Sequence, residues 1–139
     1  MEDTARAIDY LNSPKHNLSA DIGSIQHCDI KPHNIMIVGG ATQLCDFGLA
    51  RMLGDVRKTA TAAGTIAYVA PECITQNEPS SATDQYSLAI TYYKLRTGTL
   101  PFDSNQPPFT MMLVHTEGRL DFSLVTIRSP CFTVPARDF

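Results

Sequence analysis

His27-Cys28-Asp29-Ile30-Lys31-Pro32-His33-Asn34-Ile35-Met36-Ile37-Val38-Gly39-Gly40-Ala41-Thr42-Gln43-Leu44-Cys45-Asp46-Phe47-Gly48 is the stretch on which the fold turns. Two short β-prone runs, residues 35–38 and 41–45, flank a Gly-Gly pair. Such a pair adopts the positive φ angles that a two-residue turn requires, so the spacing predicts a tight β-hairpin. A polar, charge-bearing cluster stands at each end of it: His27 to Asn34 before, Asp46-Phe47-Gly48 after. The hairpin therefore sets the distance between the two clusters.

Working outward, residues 2–12 carry Ala5, Ile8 and Leu11 at helical spacing. This predicts a short helix with Asp3 as its N-cap and Asn12-Ser13-Pro14 as its stop. Residues 14–24 are turn-rich and read as a surface loop. Residues 46–82 show no sustained period and read as a long irregular segment, the kind that in compact domains is usually functional or disordered. Residues 83–97 form the strongest helical pattern. Tyr86, Ala89, Ile90 and Tyr93 line one face, Leu88, Thr91, Tyr92 and Leu95 widen it, and Gly98 and Pro101 end it. So broad a stripe predicts a helix buried on most sides, with Tyr86 and Tyr93 in the core. A further short helix falls at 109–116, and the tail 126–139 has no clear period. The fold class is α+β, mainly helical, with one small β-hairpin.

At 139 residues the chain has length for a single core. Its 43% hydrophobic and 18% charged residues, with net charge -3, give no reason to expect nucleic acid or an anionic membrane as the main partner. Its apolar stretches are too short to cross a bilayer, and its polar N-terminus lacks the pattern of a signal peptide. A cytoplasmic protein is the expectation. Cys28, Cys45, Cys73 and Cys131 form no C-x-x-C pair and no zinc-ligand spacing, so they read as free thiols of a reducing compartment.

The cluster His27-Cys28-Asp29-Ile30-Lys31-Pro32-His33-Asn34 resembles the catalytic loop of protein kinases, and Asp46-Phe47-Gly48 resembles their magnesium-binding D-F-G. Three later motifs extend the likeness in order. Gly64 to Glu72 ends in Ala70-Pro71-Glu72, like the A-P-E of an activation segment. Asp84-Gln85-Tyr86-Ser87-Leu88 is similar to the start of the central helix of the C-terminal lobe, with Tyr86 where tryptophan is usual. Thr97-Gly98-Thr99-Leu100-Pro101-Phe102 follows it. The resemblance implies a partial Ser/Thr protein kinase domain over residues 1–125, a kinase-like C-lobe, leaving 126–139 unassigned. Nothing before His27 resembles the glycine-rich loop, the strand lysine or the helix glutamate of the N-terminal lobe, so that lobe is expected to be missing.

The resemblance also implies roles. Asp29 accepts or orients the substrate hydroxyl's proton, and Lys31 sets a positive charge beside the transferring phosphoryl group. Asn34 and Asp46 offer hard oxygen ligands for Mg2+ bound with ATP. Met36 matches the floor under adenine, and Thr65 matches the threonine that contacts the catalytic Asp and Lys near a protein substrate. His27 and Asp84 are structural, Asp84 bonding the loop backbone from the long helix. His16, His33 and His115 read as solvated or incidental.

Two departures matter. Cys28 stands where many kinases have the arginine that docks an activation-loop phosphate, a pairing a thiol cannot make. Phosphorylation of that segment, at Thr59 or Thr61 for example, is therefore not expected to be the main switch. Glu72 lacks its usual arginine, so it is expected to be unpaired unless Arg119 or Arg128 substitutes. The expected activity is transfer of the ATP γ-phosphoryl group to a protein Ser/Thr hydroxyl, and the alternative is a non-catalytic kinase-like fragment acting as an interaction module.

Overall fold

A computed structural model describes residues 1–17, 22–53 and 65–125. Helix α1 (Glu2–Asn12) is followed by β1 (His16–Asn17), β2 (Ile22–Gly23) and β3 (Ile25–Gln26). Then come the hairpin strands β4 (Ile35–Val38) and β5 (Ala41–Leu44), and β6 (Arg51–Met52). Helices α2 (Pro71–Thr75), α3 (Thr83–Thr97) and α4 (Pro108–Thr116) complete the order. The strands form three antiparallel pairs, β1–β2, β3–β6 and β4–β5. The described fold is thus α+β and mainly helical.

The hairpin runs in register from Ile35 opposite Leu44 to Val38 opposite Ala41. Gly39 and Gly40 close it at φ 59° and 85°, and a Cβ at either would meet nothing within 4 Å. Backbone angle alone, not space, requires glycine there. Helix α1 lies against β5, where the Thr4 and Thr42 hydroxyls are 3.1 Å apart and the Thr42 N–H donates to Asp3 at 3.2 Å. Asp3 is therefore not the N-cap; Met1 occupies that position, and the Asp3 carboxylate serves a tertiary contact instead. The outer strand stays uncovered, with Met36, Ile37 and Val38 exposed by 49%, 78% and 49%.

Helix α3 buries Thr83, Asp84, Ser87, Ile90, Thr91 and Tyr93. Its buried face is narrower than the pattern predicts. Ala89 projects to the opposite side and is exposed, and Leu95, in the last turn, is 53% exposed. Gly98 ends the helix in the left-handed region at φ 77°, its N–H bonding the Lys94 carbonyl at 2.9 Å.

The described parts of residues 46–82, namely 46–53 and 65–82, hold more order than their sequence suggests. Phe47–Leu49 and Ile66–Tyr68 are 3-10 turns, β6 pairs with β3, and α2 starts at Pro71, whose missing N–H is harmless at a first helical position. Short elements with distant partners leave no period to read. Likewise the loop at 14–24 contains the β1–β2 pair. The tail 126–139, with Cys131, and the acceptors Thr59 and Thr61 lie outside the described residues.

Ile30 and Ile90 are fully buried, and Ile8, Ala70, Tyr93 and Val114 join them. The buried polar set is larger: Thr4, Gln26, His27, Asn34, Thr83, Asp84, Ser87, Thr91 and His115. Buried polar groups need hydrogen-bond partners. Most of these fall in residues 26–34 or on α3, so the interior is largely a bonded support for the segment that carries Asp29.

Candidate active site

Three side chains meet in the loop after β3. The Lys31 ammonium is 2.7 Å from Asp29 Oδ2. The Asn34 amide donates to the same Oδ2 at 2.9 Å and to the Asp29 carbonyl at 2.8 Å. Both partners are acceptors, which fixes Nδ2 toward Asp29 and leaves the Asn34 carboxamide oxygen for another cation or donor. Asp29 Oδ1 accepts no hydrogen bond among the described residues. Pro32 begins the 3-10 turn Pro32–Asn34 that brings Asn34 back over Asp29.

The second cluster is coupled to the first by backbone. Cys45 N–H donates to the Asn34 carbonyl at 2.9 Å, extending the hairpin register by one residue, so Asp46 follows directly on the partner of Asn34. His27 Nε2 is 3.2 Å from the Cys45 carbonyl, and its ring lies 4.7 Å from that of Phe47. A carbonyl only accepts, so Nε2 carries the proton, and the buried Nδ1 has no partner among the described residues. Asp46 itself is exposed at φ 62°, a left-handed conformation that costs a non-glycine residue about 1–2 kcal/mol. Its Oδ1 accepts the Gly48 N–H at 3.3 Å, and Oδ2 accepts none among the described residues. The side chains of Asn34 and Asp46 do not bond each other.

Asp84 reaches the loop from the first turn of α3. Its Oδ2 accepts the His27 N–H at 2.7 Å and its Oδ1 the Cys28 N–H at 2.9 Å. Burial pushes its carboxyl above the usual range, and these two amides offset that only in part. Thr91 adds a hydroxyl contact to the Ile30 carbonyl at 3.4 Å. Cys28, at φ 63°, also sits in the left-handed region, next to Asp29. Burial pushes its thiol up to about 11 against the opposing pull of Arg51, so it stays protonated and unreactive at neutral pH.

Met36 is half exposed on β4, opposite Gln43. Thr65 is exposed and opens the Ile66–Tyr68 turn, and its hydroxyl bonds neither Asp29 nor Lys31. The contact implied for it is not formed: the Lys31 ammonium bonds Asp29 within its own loop instead. Glu72 is not unpaired: its Oε1 accepts the hydroxyls of Ser80 and Thr83, each at 2.6 Å. Partial burial raises its carboxyl, yet the two hydroxyls outweigh that and hold it below the ordinary 4.5. Arg119 pairs with Glu117 instead, and Arg128 lies outside the described residues. These hydroxyls went unread in the sequence; the only signal was their density just before Asp84. His115, expected to be solvated or incidental, is buried and bonded to Tyr86.

Replacing Ser80 with alanine is expected to cost about 1 kcal/mol, since Glu72 is part-exposed and keeps Thr83. The Glu72 carboxyl is lowered in the fold, so the hydroxyls' contribution is present above 4.5 and is lost as pH falls through the folded value. Urea denaturation at pH 7 and again below pH 4 checks this: the difference between wild type and S80A should shrink in acid.

The family described as protein kinase domain matches residues 1–126. The chain belongs to the protein kinase family, of the eukaryotic-like serine/threonine kind. It is 40% identical over 100 residues to the Bifidobacterium longum protein named "Probable serine/threonine-protein kinase pknA2", covering 70% of this chain and 13% of that one. It is 39% identical over 112 residues to dual specificity mitogen-activated protein kinase kinase jkk-1 of Caenorhabditis elegans, covering 78% of this chain and 24% of that one. It is 33% identical over 87 residues to human serine/threonine-protein kinase D2, covering 60% and 10%. The chain therefore spans a quarter or less of the length of these relatives.

Proposed function

We propose that residues 1–125 are the C-terminal-lobe portion of a Ser/Thr protein kinase domain, taking part in transfer of the ATP γ-phosphoryl group to a protein serine or threonine hydroxyl. The observation that best supports this is the convergence of Lys31 and Asn34 on one oxygen of Asp29, with the other oxygen left open. In this reading Asp29 Oδ1 takes or orients the proton of the attacking hydroxyl. Lys31 holds its ammonium beside the transferring group, 2.7 Å from Asp29 Oδ2. Phosphoryl transfer asks the protein mainly for such positioning and charge balance.

Magnesium favours hard oxygen donors and keeps several waters, binding through one or two protein groups together with phosphates. The donor set here fits: the Asn34 carboxamide oxygen, freed by the commitment of Nδ2 to Asp29, and the Asp46 carboxylate. When bound, Mg2+ with ATP supplies a neutralised triphosphate with an electrophilic terminal phosphorus. Met36 lies under the adenine in this assignment, His27, Glu72 and Asp84 are supports, and Thr65 belongs to the segment that meets the protein substrate. The cytoplasm is the proposed compartment, consistent with the free thiols of Cys28, Cys45 and Cys73. Among the described residues no helix is long and apolar enough to cross a membrane.

A thermal-shift titration of this chain with ATP, with and without Mg2+, tests the reading. At a hundredfold excess over Kd, bound nucleotide should stabilise the fold by about 2.7 kcal/mol. Asn also tolerates the left-handed backbone at position 46, so Asp46→Asn should fold and yet lose the magnesium-dependent part of the shift. An identical response in both proteins, or none in either, favours the non-catalytic interaction module.

A further inference from the structure

His115, on α4, is 2% exposed and takes no part in the loop around Asp29. Its Nδ1 lies 2.7 Å from the Tyr86 hydroxyl. The rings of Tyr86 and Phe102 stand edge-on to it, at 5.8 and 5.1 Å between centroids. Its Nε2 is buried and has no hydrogen-bond partner among the described residues. A neutral imidazole tolerates this arrangement: with Nδ1–H donated to Tyr86, Nε2 is a bare lone pair. An imidazolium fits poorly, because it carries a second N–H and a full charge into a buried site where the Ile66 carbonyl offsets the burial only in part.

The neighbouring elements offer little relief. Tyr86 on α3, Tyr68 on the Ile66–Tyr68 turn and Cys73 on α2 are all held protonated by burial, Tyr86 up to about 12. Glu72 on α2 is already engaged by Ser80 and Thr83. Asp103, after Phe102, accepts the Asn105 N–H, and beyond α4 Glu117 is paired with Arg119. Helix α4 packs against both α2 and the Ile66–Tyr68 turn. Ser87, next to Tyr86, donates to the Tyr68 carbonyl at 2.7 Å. The same turn of α3 thus grips the segment after Thr65 directly and, through His115, the helix beneath it.

We propose that the His115–Tyr86 pair is an acid-sensitive latch: neutral His115 keeps α4 seated on the Ile66–Tyr68 turn, and protonation of His115 releases that turn. Burial holds His115 below its ordinary 6.5, with the Ile66 backbone pulling weakly the other way. Above pH 6.5 neither the closed nor the open state binds the proton, and opening is flat with pH. As pH falls from 6.5 toward the closed-state value, only the open state is protonated, and opening grows by up to about tenfold per pH unit, the slope of one proton. Below that value both states are protonated and the rise stops.

Hydrogen exchange of the Tyr68 and Val69 amides, which are bonded to Thr65 and Ile66 carbonyls, reads the opening directly. Corrected for intrinsic exchange, wild-type rates should climb toward that one-proton slope between pH 7.5 and 5. His115→Phe should abolish the slope, and His115→Gln, which can still bond Tyr86 but does not titrate, should abolish it too if the first variant folds poorly. A flat wild-type profile, or the same slope in the variants, overturns the latch.

Discussion

Asp29→Asn should lower kcat about 10²–10⁴-fold in any preparation of this chain that phosphorylates a protein hydroxyl. The substitution is nearly isosteric, and its oxygen can still accept from Lys31 and Asn34, which hold Oδ2 at 2.7 and 2.9 Å. The other position becomes an amide N–H2, with no lone pair for the departing proton. Lys31, 2.7 Å away, also loses its countercharge. Each decade of rate is about 1.4 kcal/mol of transition-state stabilisation, so the change amounts to about 3–5 kcal/mol. Because the lost interaction belongs to the transition state, KM for ATP should move little. Steady-state kinetics separates the two parameters. A kcat within about threefold of wild type would remove Asp29 from the chemistry, since general-base roles contribute far more than that.

Asp84→Ala should destabilise the fold by about 2–5 kcal/mol, as two backbone N–H groups lose their acceptor and each such loss costs about 1–3 kcal/mol when buried. Those groups are His27 N–H and Cys28 N–H, at 2.7 and 2.9 Å from the carboxylate, and His27 is fully buried. Small domains have only about 5–15 kcal/mol in total, so the variant should be marginal. Asp84→Asn keeps one accepting oxygen and turns an amide donor against the other N–H, so it should lose a comparable share. Urea midpoints with an unchanged m-value measure this. A shift under about 0.5 kcal/mol, the size expected of ordinary surface changes, would mean that the loop does not hang from α3.

How far the sequence disclosed this arrangement depends on distance along the chain. The hairpin was legible because Gly39-Gly40 and the runs beside it are a local pattern whose φ angles the structure reproduces. Helices α1 and α3 were legible for the same reason, each having its own period and stop. Asp29, Lys31 and Asn34 lie within six residues, so a single turn begun at Pro32 brings them together. What failed was most of what two distant segments decide jointly. Glu72 meets Ser80 and Thr83 across the end of α2, and Tyr86 finds His115 on another helix. Gln26 pairs with Arg51 between strands too short to show alternation. Asp3 looked like a cap because local spacing favours one there, but a strand N–H at Thr42 claimed its carboxylate. The Asp84 contact spans the chain from α3 to the loop, and only the family likeness pointed to it.

From Ile35 to Leu44 there is no ionisable side chain, and Ile37 alone is 78% exposed. β4 has β5 on one edge and no strand on the other among the described residues. Protein edges of this kind are normally guarded by a lysine, a proline or a bulge, and none stands here. Crowded solutions of the chain should therefore cloud through this strip while the interior is still intact, and sooner in sulfate or phosphate, which strengthen apolar association. Colloidal behaviour, more than melting, will limit the concentration at which it can be handled.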